Sequence, residues 1–235
     1  MIVMDTLEDR YLRQQMLPEI GPEGQAKIAA AKVLVVGVGG LGSPISIYLA
    51  AAGVGTLGLV DSDAVSVTNL HRQILYDEHE VGVSKALCAK QKLSKLNSTI
   101  QVMAFDEKLN PDNAEKLISQ FDIVVDGTDN FASRFLINDT CTRLGKPYVY
   151  GAICGFEGQV SVFTSRCDYR TLFPDEEQAR QLQPSKAVIG ITPAIVGSFE
   201  VGEVLKLICG YGEPLIGKLL VIDIKTLQIN TVSIV

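Results

Sequence analysis

Four glycines fall within six residues at Gly37-Val38-Gly39-Gly40-Leu41-Gly42, after a β-branched run that ends at Val36 and before an apolar stretch opened by Ser43 and Pro44. Glycine lets a backbone turn tightly and approach a phosphate, and the start of a helix offers free N–H groups and positive potential. Asp61 closes the next β-branched run, about 20 residues downstream, where a carboxylate in a strand-loop-helix-strand unit accepts hydrogen bonds from ribose hydroxyls. A glycine pattern alone is weak. Placed after a strand, before a helix and ahead of such an acid, it points to a nucleotide rather than to a structural turn with an incidental carboxylate.

A nicotinamide dinucleotide would use the same two features, so the neighbours must separate the possibilities. Asn69, Arg72 and Gln73 follow Asp61, and Lys85 lies in the first turn of a later helix. A bridging diphosphate is handled largely by backbone and helix dipole, whereas a triphosphate needs side-chain cations. Taken singly, Arg72 or Lys85 reads equally well as a solvated surface charge; clustered after the ribose acid, they read better as a triphosphate cradle. Asp126-Gly127-Thr128-Asp129-Asn130 ends a further apolar run. There Asp129 is placed to hold Mg²⁺ against phosphates through hard oxygen ligands. Asn130 reads either as part of that site or as the cap of the helix that follows.

These residues need a scaffold that brings strand ends together, and the chain alternates accordingly. Strands are expected at Val33–Val36, Thr56–Val60, Ile100–Ala104, Ile123–Val125, Tyr148–Gly151 and Gln159–Phe163. Helices are expected over Gly24–Ala31, from Ser43 as cap and Pro44 as first position to a stop at Gly53, over Ser84–Leu96 with Leu87, Leu93 and Leu96 on its apolar face, and over Ala132–Leu144. An apolar helix at about Pro193–Cys209 and a hairpin of Leu219–Ile224 with Gln228–Ile234 complete the set. Alternation of this kind gives an α/β fold: a Rossmann-type, mostly parallel, doubly wound sheet with antiparallel C-terminal strands. Residues 165–188 are polar and too long for a tight connection, so a mobile substrate-crossing loop is expected there. The layout is a single domain over 1–235: an N-terminal helical segment (1–31), a nucleotide-binding core (32–163), a crossing loop (164–191) and a C-terminal helix and hairpin (192–235).

Composition narrows the function classes. The net charge of -6 argues against a general nucleic-acid surface. Val33–Val60 carries no Asp, Glu, Lys or Arg, but glycines and Pro44 divide it into strand, helix and strand, so no membrane span is expected. Met1–Arg10 is charged and lacks the apolar core of a signal peptide, so the cytoplasm is the expected location. Cys88, Cys141, Cys154, Cys167 and Cys209 form no C-x-x-C pair and read mostly as small core residues.

Together these segments resemble the ThiF/MoeB/HesA family of sulfur-carrier adenylyltransferases, relatives of ubiquitin-activating enzymes. Arg10-Tyr11-Leu12-Arg13-Gln14, the glycine loop with Ser43-Pro44, Asp61-Ser62-Asp63, Asn69-Leu70-His71-Arg72-Gln73, Lys85, Gly127-Thr128-Asp129-Asn130 and Phe156-Glu157-Gly158-Gln159 match the family pattern in order, over nearly the whole chain. The resemblance implies ATP as substrate, Asp61 on the ribose, Arg72 and Lys85 on the phosphates with support from Asn69 and Gln73, Mg²⁺ on Asp129, and a homodimer in which Arg13 reaches the other subunit's site. It also implies a partner, a ubiquitin-like sulfur carrier ending in Gly-Gly, whose terminal carboxylate is joined to AMP for thiamine, molybdopterin or related sulfur-transfer biosynthesis. A terminal carboxyl group, with a pKa of about 3.3–3.7, arrives ionised and needs no general base. That agrees with a chain holding only His71 and His79 and no Ser-His or Cys-His arrangement.

Two departures stand out. Many relatives hold zinc with two C-x-x-C pairs; here Asp168-Tyr169-Arg170-Thr171 occupies the first position and the sequence ends at Val235 before the second, so no zinc is expected. Pro184-Ser185-Lys186 stands where relatives carry a crossing-loop cysteine, which puts a covalent carrier step in doubt. Cys154, after the strand at Tyr148, could lie near the site, but reads better as core packing. The alternatives to the adenylyltransferase reading are an NAD(P)-dependent oxidoreductase and a non-catalytic scaffold of the same fold.

Overall fold

The computed structural model describes residues 7–182, 185 and 187–235; Pro184 and Lys186 of the crossing region lie outside the described residues. Eight strands form one sheet in the order β3-β2-β1-β4-β5-β6-β7-β8. They are β1 (Lys32–Val36), β2 (Thr56–Val60), β3 (Gln101–Phe105), β4 (Ile123–Asp126), β5 (Tyr148–Cys154), β6 (Glu157–Phe163), β7 (Lys218–Asp223) and β8 (Gln228–Ser233). The first five pair in parallel and the last three antiparallel. Apolar β1, β2 and β4 are buried on both faces, as parallel strands under helices must be. Register pairs Val36 with Val60 on one side and with Asp126 on the other, so the loops after β1, β2 and β4 leave the sheet side by side. The strand order reverses at β1, the position where open α/β sheets bind ligands.

Side chains alternate across the pleat. Val33 and Val35 enter one core with α2 (Gly21–Ala30), α3 (Gly42–Ala52), α4 (Lys85–Leu96) and α9 (Ile191–Cys209). Leu34 and Val36 enter the other with α5 (Ala114–Ile118), α6 (Phe131–Leu144), α7 (Tyr169–Leu172) and α8 (Glu176–Gln181). A short α1 (Leu12–Gln15) precedes α2. Each Val or Leu fully buried in these layers stabilises the fold by about 1.5–3 kcal/mol.

Four expectations change. Helix α3 begins at Gly42 with Leu41 as its N-cap, so Ser43 is not the cap; its hydroxyl instead donates 2.7 Å back to the Gly39 carbonyl, closing the glycine turn. Helix α4 buries Ala86, Ala89 and Leu93, while Leu87 and Leu96 are 51% and 41% exposed. Small residues beside Leu93 on the seam let α4 lie close to the sheet, and Leu87 and Leu96 turn outward. Residues 165–188 are not a plain loop: they contain α7 and α8, whose caps, Asp168 and Asp175, use part of the polar composition. Cys88, Cys141, Cys167 and Cys209 are buried, but Cys154 is half-buried at the end of β5 and is not core; its thiol lies 3.7 Å from the Ser185 carbonyl oxygen. No described helix is long and apolar enough to cross a membrane.

Candidate active site

The strand ends at the β1 switch point open into a cleft of about 1090 Å³. Gly37 takes a left-handed φ of 86°, and its N–H donates 2.7 Å to the Val60 carbonyl. A Cβ on Gly42 or on Gly127 would run into the Gly37 carbonyl, so the loops after β1 and β4 touch through backbone alone. Gly39 and Gly40 line the cleft. A Cβ on Gly39 would sit 3.3 Å from Gln73 Nε2, and one on Gly40 3.5 Å from Arg72 Cδ, so loop and cation-bearing turn are in contact. Helix α3 starts here and places the positive end of its dipole at the cleft.

Asp61 is clamped beside that loop. Val38 N–H donates 2.7 Å to Oδ2 and Asp63 N–H donates 2.8 Å to Oδ1, which leaves lone pairs on both oxygens for a diol. Burial raises its pKa above the ordinary value, opposed by those two N–H bonds and by the Lys85 charge. Tyr76, a buried phenol pushed up by desolvation, donates 2.8 Å to Val38 O and ties the loop to the start of α4.

Arg72 and Gln73 follow a single 3₁₀ turn, Val67–Asn69, and both backbone N–H groups donate to Asn69 O. The Arg72 guanidinium donates 2.9 Å to Asn69 Oδ1 and 3.3 Å to Thr68 O, and lies 2.9 Å from His71 Nε2. None of these partners is a carboxylate, so its charge stays available to an anion. Gln73 is 4% exposed and its Oε1 has no partner among the described residues, a buried acceptor on the cleft wall that a ligand donor would satisfy. Lys85 heads α4 with its side chain 4% exposed and its Nζ 3.0 Å from Asp63 Oδ2.

Across the cleft, the Asn130 Oδ1 accepts from Ser133 N–H at 2.9 Å, capping α6, and Asn130 also lines the cleft beside the exposed Asp129. That loop is braced from behind. Asp126 is fully buried; its Oδ1 accepts from Thr128 N–H (2.8 Å) and Oγ1 (2.7 Å), and its Oδ2 from Arg134 Nε (3.1 Å) and Tyr148 Oη (2.8 Å). Arg134 Nη2 donates 3.0 Å to Thr128 O. Burial opposes the charge on Arg134, but Asp126 outweighs it and holds the guanidinium protonated. Arg134 was not among the expected site residues, although an Asp on one side of a helix cap and an Arg one turn inside the helix are the signal that could have found it.

The crossing segment forms one wall, with Arg180, Leu182, Ser185, Ala187 and Val188 lining the cleft. Gly155 N–H donates 2.8 Å to Ala187 O, and Arg170 grips Asp139 of α6 through two bonds of 2.8 and 2.7 Å and Glu176 through one of 2.7 Å. Arg13, by contrast, is exposed on α1 and does not line its own chain's cleft.

The ThiF family model matches residues 11–234. The chain belongs to the ThiF family. Among its relatives, the sulfur carrier protein adenylyltransferase of Thermus thermophilus is 47% identical over 92% of this chain and 83% of its own length. A probable adenylyltransferase/sulfurtransferase, MoeZ of Mycobacterium tuberculosis, is 45% identical over 96% of this chain but only 59% of MoeZ. The crystal structure of E. coli MccB with ATP superposes with a TM-score of 0.83 at 26% identity, covering 96% of this chain and 71% of MccB. As a ThiF-family member with relatives named adenylyltransferases, this chain is a nucleotidyltransferase.

Proposed function

We propose that this ThiF-family chain transfers AMP from ATP to the C-terminal glycine carboxylate of a ubiquitin-like sulfur-carrier protein, with release of pyrophosphate. The observation that carries the reading is a cleft holding a clamped ribose-type carboxylate, Asp61, beside Arg72, a guanidinium with no carboxylate partner among the described residues. A redox site would leave that cation without a task. MccB, a family relative by fold and sequence, is known with ATP, and the Thermus relative is named for a sulfur carrier, which supports both substrates.

Asp61 takes the ribose hydroxyls and fixes the nucleotide against the glycine loop. One carboxylate oxygen of the carrier tail attacks the α-phosphorus; the bond from that phosphorus to the bridging oxygen breaks, and pyrophosphate leaves with the electron pair. The nucleophile is already ionised, so no base is required. Cations are required, because an anion approaches a polyanion and the leaving group gains charge. Arg72 and Lys85 supply them, supported by Asn69 and Gln73. Among the described residues no group of three His, Cys, Asp or Glu could hold a metal by itself. Mg²⁺ needs less, one or two carboxylates plus phosphate oxygens and water, and Asp129 at the cleft fits that demand. Bound there with the nucleotide, it would neutralise phosphate charge. Asn130 holds the Asp129 loop on α6.

The assembly is a homodimer in which Arg13, exposed on α1 between exposed Leu12, Met16 and Leu17, enters the neighbouring protomer's cleft. The whole of 1–235 acts as one adenylation domain. No zinc is expected in the assembly, and residues 168–171 are used otherwise: Asp168 caps α7, Tyr169 fills an aromatic cluster and Arg170 is ion-paired.

Mass spectrometry tests the reading. A carrier ending in Gly-Gly, incubated with the chain, ATP and Mg²⁺, gains one adenylyl group, and the same carrier with an amidated C-terminus gains none. Equal modification of both carriers, or of neither across a broad panel, overturns the assignment.

A further inference from the structure

Asp63 is bonded to both the ribose acid and the phosphate lysine of the nucleotide machinery. Its N–H donates 2.8 Å to Asp61 Oδ1, its carbonyl accepts Lys85 N–H at 2.9 Å, and its Oδ2 accepts Lys85 Nζ at 3.0 Å. With Val38 N–H on Asp61 Oδ2 at 2.7 Å, an unbroken path runs from the glycine loop through the ribose acid to the phosphate lysine. The ion pair is lopsided: the Lys85 side chain is 4% exposed and that of Asp63 is 70% exposed. An ammonium group carries three donors, and Asp63 takes one of them, leaving the others for a ligand. A carboxylate that far into solvent is well screened, so its repulsion of a nearby phosphate is weak. Its grip on a buried, four-carbon side chain is a matter of geometry and is not screened away.

We propose that Asp63 is a positioning residue: it holds the Lys85 ammonium at the phosphate end of the cleft in register with Asp61, and so couples ribose recognition to phosphate recognition. This rests on the ATP reading of the cleft. A latch that competed with phosphate for Lys85 would have the opposite consequence, and the sign of one measurement separates the two.

The experiment is a double-mutant cycle on the full chain, reading the dissociation constant of Mg-ATP by calorimetry for wild type, Asp63→Asn, Lys85→Ala and the double variant, with melting temperatures throughout. Asp63→Asn is expected to weaken ATP binding about tenfold in the wild-type background and to have almost no effect once Lys85 is gone, because the carboxylate works through the ammonium. Asp63→Glu, which can still reach Nζ, restores most of the affinity. In turnover, Asp63→Asn raises KM for ATP more than it lowers kcat. Tighter binding by Asp63→Asn, or an equal loss with and without Lys85, overturns the proposal. Loss of affinity only in step with loss of melting temperature overturns it as well. Failure of the wild type itself to bind ATP would instead refute the proposed function, so the two outcomes stay distinct.

Discussion

Glu200 sits in the middle of α9, fully buried, with neither carboxylate oxygen hydrogen-bonded among the described residues. It fills the notch left by Gly151 on β5, where any Cβ would collide with its Oε1. Burial drives its pKa well above the ordinary 4.5, Asp126 adds to the rise, and Arg134 opposes it. The folded chain therefore keeps Glu200 protonated while the unfolded chain ionises it above about pH 4.5, so folding takes up a proton. Because the folded pKa is the higher one, this group's contribution to stability is complete below the unfolded value. It is lost as pH rises toward the folded value, with a slope of about 1.4 kcal/mol per pH unit. Glu200→Gln keeps the shape and removes the ionisation. Relative to wild type it should change stability little at pH 4 and gain about 1.4 kcal/mol for each unit above pH 4.5 while Glu200 stays protonated. For a chain of this size that is roughly 3–6 °C in melting temperature per unit. Urea unfolding of both proteins at several pH values between 4 and 7 reads the difference directly. Parallel stability curves would refute the reasoning, and a variant that loses ground as pH rises would show Glu200 to be ionised and paired.

Other expectations are tied to the cleft. Arg72→Ala should lower kcat/KM by about 10²-fold or more, the effect of deleting one preorganised donor, and Lys85→Ala should do the same. Arg72→Ala should leave the melting temperature nearly unchanged, since Arg72 makes no ion pair among the described residues; steady-state kinetics with unfolding controls checks both. Mixing Arg13→Ala with Arg72→Ala protein should recover about a quarter of wild-type activity, because a mixed symmetric dimer regains one complete site out of two. No recovery after confirmed subunit exchange places Arg13 outside the neighbour's cleft. Gly42→Ala should weaken ATP binding and destabilise the chain by about 1–3 kcal/mol, because its methyl group displaces the Gly37 carbonyl from the turn; unaltered ATP titration and unfolding curves would contradict the packing described.

The parts of this structure that a sequence shows best are those governed by local physics. β-Branched runs gave β1, β2 and β4, and glycines at 53 and 145 stop α3 and α6 in left-handed conformations, φ 88° and 66°. Gly37, Gly39, Gly40, Asp61, Asn69, Arg72, Gln73, Lys85, Asp129 and Asn130 line one cleft, on segments that leave the adjacent ends of β1, β2 and β4, while Gly42 lies just behind it at the start of α3. What stayed hidden depends on tertiary partners. Arg134 looks like an ordinary helix-surface cation until Asp126 is seen beneath it, 3.1 Å away. The leucines of α4 invited a helical stripe, but the buried face pairs Leu93 with Ala86 and Ala89 and leaves Leu87 and Leu96 outside. Tyr169, in a segment that reads as polar loop, turns out to be fully buried among Phe135, Tyr150, Phe163 and Phe173. Its neighbour Arg170 spends its charge on Asp139 and Glu176, which anchors the crossing segment to α6.

The claim on which all else depends is that this cleft activates a protein carboxylate with ATP. Isotope exchange between pyrophosphate and ATP reads that step alone, since label returns to ATP only through a reversible adenylate. With Mg²⁺ and a set of Gly-Gly carriers, exchange should appear with at least one carrier, vanish when that carrier is omitted and fall about 10²-fold in Arg72→Ala. Absence of exchange with every carrier, alongside binding of NAD but not of ATP, would contradict the account at its root.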